Sequence, residues 1–262
     1  MTAVLMFDRD LLRLSQAHLN LLSICPPKFQ QVYVDCLGSL PVPEWQDSIQ
    51  WGSRFHLLMQ QRELALPIES LLATDTELDR SLKALIQAAP ELLDRESNVW
   101  REAEHSRTFV IERFLFTVVY DLIIAWGDRA TIFDWKTYRQ PPKSKNLENN
   151  WQTRLYLYVL AETSEYEPEQ IQMTYWFVKS GEPSSMTINY SQSQHQQASR
   201  ELKDLLTNLK AWLQNYQQFQ TDFPHHSNCE HCLFHRDFIL LKETARQQEL
   251  LASIDDIGEV SI

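Results

Sequence analysis

The chain predicts an α/β fold, with a mixed central sheet flanked by helices and a helical insertion ahead of the sheet. Three observations predict it. Segments rich in β-branched and aromatic residues follow one another between Thr108 and Thr137, which reads as an antiparallel meander. Apolar residues recur at helical spacing on both sides of that block. With 44% hydrophobic residues over 262 positions, the chain has enough apolar material for a substantial core. One domain is expected across residues 1–262, with the insertion over 57–100 and a Cys/His-rich tail over 221–240 packing near the N-terminal segment.

The elements follow in order. From Leu11 to Val34, Leu11, Leu14, Leu19 and Leu22 keep near-helical spacing and Pro26-Pro27 interrupts it, so helix, break and helix are expected, with Phe29 and Tyr33 in the core. Residues 50–100 read as helical, Trp51, Phe55, Leu58 and Met59 forming one stripe and Leu78, Leu82, Leu85 and Ile86 another. In the meander, Trp126-Gly-Asp-Arg129 supplies the turn between the last two strands. A polar loop with Pro141-Pro142 follows, then a helix over 150–162. Strands over 171–179 and 185–190 are expected to pair, and a long helix over 191–218 precedes the tail.

Composition excludes several classes. Five glycines and no matching motif argue against a P-loop or a dinucleotide fingerprint. A net charge of −11 is wrong for a nucleic-acid coat protein, whose phosphate contacts need a basic surface, but an enzyme that gathers carboxylates around a metal tolerates it. No run of about 18 apolar residues appears, so no membrane span or membrane partner is expected. The first residues lack a charged n-region and a full apolar stretch, and a cytoplasmic location is expected.

The chemistry concentrates in Ile132-Phe-Asp134-Trp135-Lys136-Thr137. An apolar strand delivers an aspartate and a lysine two residues apart, which places both side chains on one face. A carboxylate and an ammonium side by side can bind a divalent cation and orient a water beside it. An isolated Asp-x-Lys is commonly a surface ion pair. Here Asp121 lies on the adjacent strand, and two carboxylates from neighbouring strands can converge on one hard cation, leaving room for phosphate oxygens. Gln152 and Tyr156 stand four residues apart on one helix face. Glu104 and Glu112 are further acids near the meander; either could back up the site from behind its ligands, and solvated positions are expected.

With these residues in place, the chain resembles the PD-(D/E)XK nuclease superfamily, specifically its RecB-like branch, which includes the CRISPR-associated RecB-like exonucleases. The resemblance covers most of the chain and implies a restriction-endonuclease-like core. Gly52-Ser-Arg-Phe-His56 is similar to the branch's Gly-x-x-x-His element, which makes His56 the implied histidine ligand. Asp121 falls where the family has its first aspartate, although Val118-Val-Tyr-Asp121 departs from the usual Gly-x-(Ile/Val)-Asp. Asp134-Trp-Lys136 stands for the Asp-(Tyr/Trp)-Lys core. Gln152-x-x-x-Tyr156 matches the element that contacts DNA near the scissile phosphate. The implied metal set is His56, Asp121, Asp134 and the carbonyl of Trp135, holding Mg²⁺ or Mn²⁺. Lys136 is implied to orient or activate water, and Gln152 and Tyr156 to hold the strand.

Relatives with an iron–sulfur cluster carry one cysteine near the N-terminus and Cys-x-x-Cys-x5-Cys near the C-terminus. Cys25 matches the first, and Cys229-Glu-His-Cys232 the next two, but Phe238 stands in place of the last. The set is therefore incomplete for a four-cysteine cluster. Three readings stay open: a zinc site completed by His231, His235 or the pair His225-His226, a fourth thiolate from Cys36, or a lost cluster with packed remnants.

The expectation is a metal-dependent deoxyribonuclease, exonuclease-type, acting on single-stranded DNA or duplex ends in repair or recombination with a helicase or other repair protein as partner. The alternative is a non-catalytic RecB-like relative that binds nucleic acid or scaffolds a helicase assembly.

Overall fold

The structure is a computed structural model, and it describes residues 11–37, 46–89, 92, 99–137, 141–179 and 182–225. The chain starts with β1 (Leu12–Leu14), then α1 (Gln16–Ile24) and α2 (Pro26–Phe29), which runs on as a π-helical turn over Gln30–Val34. Leu11 to Leu14 is thus not the start of a helix. Leu12 and Leu14 are buried and Arg13 is exposed, an alternation that suits a strand, and the ladder to a later strand outweighs the leucine spacing.

The helical layer is α3 (Gln46–Glu63), α4 (Glu69–Ala73) and α5 (Thr76–Ala88). Asp75 caps α5 by accepting from the Leu78 N–H at 3.0 Å, which answers one of the donors a helix start leaves open. The expected helical stretch stops short of residue 100, because Trp100 already opens β2 (Trp100–Ile111). β3 (Phe114–Trp126) and β4 (Arg129–Lys136) complete the meander, with Gly127 in the left-handed region at the last turn. After α6 (Ser144–Glu148) comes α7 (Trp151–Glu162), whose first turn is held by two asparagines. Asn150 accepts from the Gln152 N–H at 2.8 Å, and Asn20 of α1 accepts from the Trp151 N–H at 3.0 Å. β5 (Ile171–Phe177), β6 (Ser184–Asn189) and α8 (Gln192–Phe219) follow, within a residue or two of the expected bounds.

The six-stranded sheet turns on β3. One edge of β3 is taken by antiparallel β2 along its length. The other edge is shared: parallel β1 pairs with residues 114–116, and antiparallel β4 pairs with residues 122–126. β5 adds to β4 in parallel and β6 to β5 in antiparallel, so the sheet is mixed. Between its two partners, β3 has an unpaired stretch that ends at Asp121.

The sheet is covered on both faces, and its faces exchange at that same point. Phe114, Phe116, Val118 and Tyr120 pack into a core with α1, α7 and α8. Past Asp121 the phase changes: Ile123 joins that core, while Leu122 packs with Trp51, Phe55, Leu58 and Leu85 of the α3–α5 layer. β2 does the same, since His105 stacks on Tyr120 whereas Arg101 pairs with Glu63 of α3. Between them Glu104 has a φ of 52°, and it falls at the one step the ladder skips, between the pairs Ala103–Leu122 and His105–Tyr120.

Side chains clasp the two ends of the described chain. Buried Gln30 donates to Asp222 Oδ1 at 3.1 Å and accepts from the Phe223 N–H at 2.7 Å, while the Phe223 ring stacks on Phe29.

Candidate active site

Asp134 and Lys136 emerge together from the end of β4, as period-two alternation requires. The Lys136 ammonium lies 2.7 Å from Asp134 Oδ1. Gln152 closes a three-membered ring, accepting from Lys136 Nζ through Oε1 at 2.7 Å and donating through Nε2 to Asp134 Oδ2 at 2.6 Å. The asparagine caps on α7 fix the turn that carries Gln152, so the ring is set by the backbone of two elements.

Asp121 sits where β3 and β4 part. Leu122–Phe133 is their last ladder pair, and one step on the Asp121 carboxylate takes over from the backbone, accepting the Trp135 N–H through Oδ2 at 2.7 Å. Its other oxygen faces His56 Nδ1 at 3.1 Å. His56 arrives there from α3, four residues after Gly52, which itself abuts Thr137 at the end of β4.

Glu104 joins this pair. Single ligand atoms of His56, Glu104 and Asp121 all lie within 4.8 Å of one another. The expectation of a solvated Glu104 is corrected: the residue is half-buried and faces the site. Glu112 does sit exposed, paired with Lys210 at 3.1 Å. The sequence marks Glu104 only as an acid near the meander, because its aim depends on a left-handed backbone that Gly or Asn would have announced.

The electrostatics follow from crowding. Burial, then the charge of Asp121, pushes the Asp134 pKa up to about 6 against the pull of Lys136 and His56. Burial works to lower His56, but the hydrogen bond and charge of Asp121, backed by Asp134 and Glu104, raise it above its usual 6.5. Burial and then Asp121 raise Glu104 as well, against His56. The Tyr156 hydroxyl is raised too, by burial and then by Asp134 and Asp121, so it stays a neutral phenol.

His56, Glu104, Asp121 and Tyr156 line an open groove of about 720 Å³, rimmed by the apolar side chains of Ile49, Leu57 and Val119. One imidazole and two carboxylates form a nitrogen–oxygen donor set that fits a small divalent cation. The structure places His56, Asp121 and Tyr156 on the groove and adds Glu104, while Asp134, Lys136 and Gln152 form the ring beside it and Trp135 meets Asp121 through its N–H; the donor group within 4.8 Å contains neither Asp134 nor Trp135. Cys25 is buried at the start of α2, and Cys36 is exposed. Cys229 and Cys232, with His226, His231 and His235, lie outside the described residues, so the tail's ligand set is not placed.

A comparison with curated proteins finds no match. Among solved structures, the chain is similar to a Eubacterium rectale protein provisionally named an exonuclease, with a TM-score of 0.50 and 11% identity over 83% of this chain and 86% of that one. It is also similar to the protein SSO0001, with a TM-score of 0.34 and 13% identity over 85% of this chain and 84% of that one. The first likeness concerns the fold, a mixed sheet between helices. Among the described residues no helix is long and apolar enough to cross a membrane. The description "PD-(D/E)XK nuclease superfamily" matches over residues 13–236, a span that contains every residue placed in the site above. The chain belongs to the PD-(D/E)XK nuclease superfamily.

Proposed function

We propose that the chain is a Mg²⁺- or Mn²⁺-dependent deoxyribonuclease that hydrolyses phosphodiester bonds, working as an exonuclease on single-stranded DNA or duplex ends in repair or recombination. The observation that carries this reading is the meeting, at the fork between β3 and β4, of a cation-binding donor set with the Asp134–Lys136–Gln152 ring.

His56 and Asp121, with Asp134 and the Trp135 carbonyl, are the residues that would hold the cation. When bound, the cation supplies Lewis acidity toward a phosphate oxygen. The chain's own groups do the rest. Lys136, held by Asp134 and Gln152, keeps a third N–H with which it would steady a water or a phosphate oxygen beside the ring. Tyr156, held as a neutral phenol, donates to a backbone phosphate. The exposed apolar side chains of Ile49, Leu57 and Val119 along the groove would pack against bases.

The test is direct. The purified full chain with Mn²⁺ should shorten end-labelled single-stranded DNA or duplex ends, and Asp134→Asn and Lys136→Ala should not. An inert wild type, or both variants cutting at the wild-type rate, sinks the reading.

A second reading, a non-catalytic RecB-like relative that scaffolds a helicase or other repair assembly, is favoured by one observation. The net charge is −11, and no Lys or Arg lines the groove among the described residues. Calorimetric titration with Mg²⁺ or Mn²⁺ separates the two, because a scaffold needs no cation at His56 and Asp121.

A further inference from the structure

We infer that Glu104 is a direct ligand of the divalent cation, delivered from β2 beside Asp121, so that side chains from α3, β2 and β3 share the ion. The inference rests on the metal dependence proposed above and adds a residue to it.

Position comes first. The β2–β3 ladder pairs Ala103 with Leu122 and His105 with Tyr120 and skips the step between, and there the ligand atoms of Glu104 and Asp121 lie within 4.8 Å of each other. Two carboxylates that close repel each other. Here the repulsion is reinforced by burial, and the backbone at Glu104 is held left-handed, a conformation that costs a glutamate free energy. Two costs coincide at one residue, and both are offset by a cation between the carboxylates.

Partnering gives the second line of argument. The neighbouring acids have basic partners: Glu102 meets His105 at 2.9 Å, and Glu112 meets Lys210 at 3.1 Å. Glu104 makes no hydrogen bond or ion pair among the described residues, although its carboxylate lies within 4.8 Å of the ligand atoms of His56 and Asp121. Asp134, by contrast, has one oxygen on Lys136 and the other on Gln152. Of the acids around the groove, Glu104 is the one whose lone pairs are uncommitted and already beside the cation position.

The experiment is Mn²⁺ binding, measured by calorimetry on the full chain with MnCl₂ alone. Glu104→Gln should weaken binding by about tenfold or more, since even residues that only orient a ligand cost about that much, while Glu112→Gln should bind as wild type. Glu104→Gly separates ligation from backbone strain. Glycine accepts the left-handed backbone freely, so this variant should melt in metal-free buffer no lower than wild type and still lose Mn²⁺ affinity, together with the rise in melting temperature that Mn²⁺ gives the wild type. Binding by Glu104→Gln within about twofold of wild type overturns the inference. A wild type that cleaves DNA while both Glu104 variants bind Mn²⁺ normally removes Glu104 alone. One that binds Mn²⁺ through Glu104 but cleaves nothing removes the nuclease reading and leaves the ligand in place.

Discussion

Gly52 of α3 lies so close to Thr137 that a Cβ at position 52 would stand 2.9 Å from the threonine hydroxyl oxygen. This close approach sets how deeply α3 settles against the end of β4, and His56 reaches Asp121 one turn further along the same helix. Alanine in mid-helix is normally better than glycine by about 1 kcal/mol, so propensity and contact pull in opposite directions here. Gly52→Ala should lift α3, weaken Mn²⁺ binding and slow cleavage. Thr137→Ala removes the blocking hydroxyl, and in that background Gly52→Ala should add about 1 kcal/mol of stability and restore binding. Equal Mn²⁺ affinity of Gly52→Ala and wild type would mean that this contact does not position His56.

Lys136 is the only cation within the ring that holds Asp134. Lys136→Ala leaves a buried carboxylate without its ion pair, and its pKa, already at about 6, should climb further. The cleavage rate should fall by about 10²–10³ or more, as when a group aimed at developing charge is removed. Gln152→Ala loses two hydrogen bonds but keeps the ion pair, so its loss should be smaller. Single-turnover rates on one labelled oligonucleotide rank the two variants, and the reverse order would place the burden on Gln152.

His56 and Asp134 give the metal-free protein a pH dependence of one sign. Each has a folded pKa above its ordinary value, His56 above 6.5 and Asp134 at about 6 against 3.8. Such a group holds its proton more tightly in the native state. Its stabilisation is complete below the unfolded pKa and is lost as the pH rises through the folded one. The Asp134 share therefore disappears as the pH passes about 6, and the His56 share disappears above 6.5. Urea midpoints of metal-free protein should fall across roughly pH 5 to 8. Added Mn²⁺, which needs deprotonated ligands, should stabilise increasingly over that range. A midpoint that rises with pH in the absence of metal contradicts both assignments.

Gln30 is a separate load point. Gln30→Ala would leave the buried Phe223 N–H without its acceptor, a loss of about 1–3 kcal/mol. Hydrogen exchange should quicken at Phe223 while Mn²⁺ affinity stays at the wild-type value. Unchanged protection there would show that the aromatic stack of Phe29 and Phe223 holds the clasp alone.

Much of the site was legible because its residues carry local signatures. Asp134 and Lys136 sit two apart on an apolar strand, and Gln152 and Tyr156 four apart on a helix, so each pair shares a face by geometry alone. Asp121 and His56 needed the order of elements as well, since neither marks itself out. Two features escaped. β1 reads as helix because three residues are too few for alternation to compete with a leucine repeat, and only its pairing to β3 makes it a strand. Glu104 escaped because its aim depends on a backbone conformation seldom taken by glutamate and on a partner 17 positions away across the ladder.

The exchange of faces at Glu104 and Asp121 works as a frameshift written into the backbone rather than into the sequence. On one side of it, even-numbered β3 residues look toward α7 and α8; on the other, Ile123 looks there and Leu122 looks toward α3. An unbroken alternation could not put Asp121 and Leu122 beneath the same helical layer. One ribbon thereby stitches two cores together, and the stitch passes through the acids that face His56. A slip of either layer against the other is therefore registered first at His56 and Asp121, so the site doubles as a gauge of whether the two halves are seated.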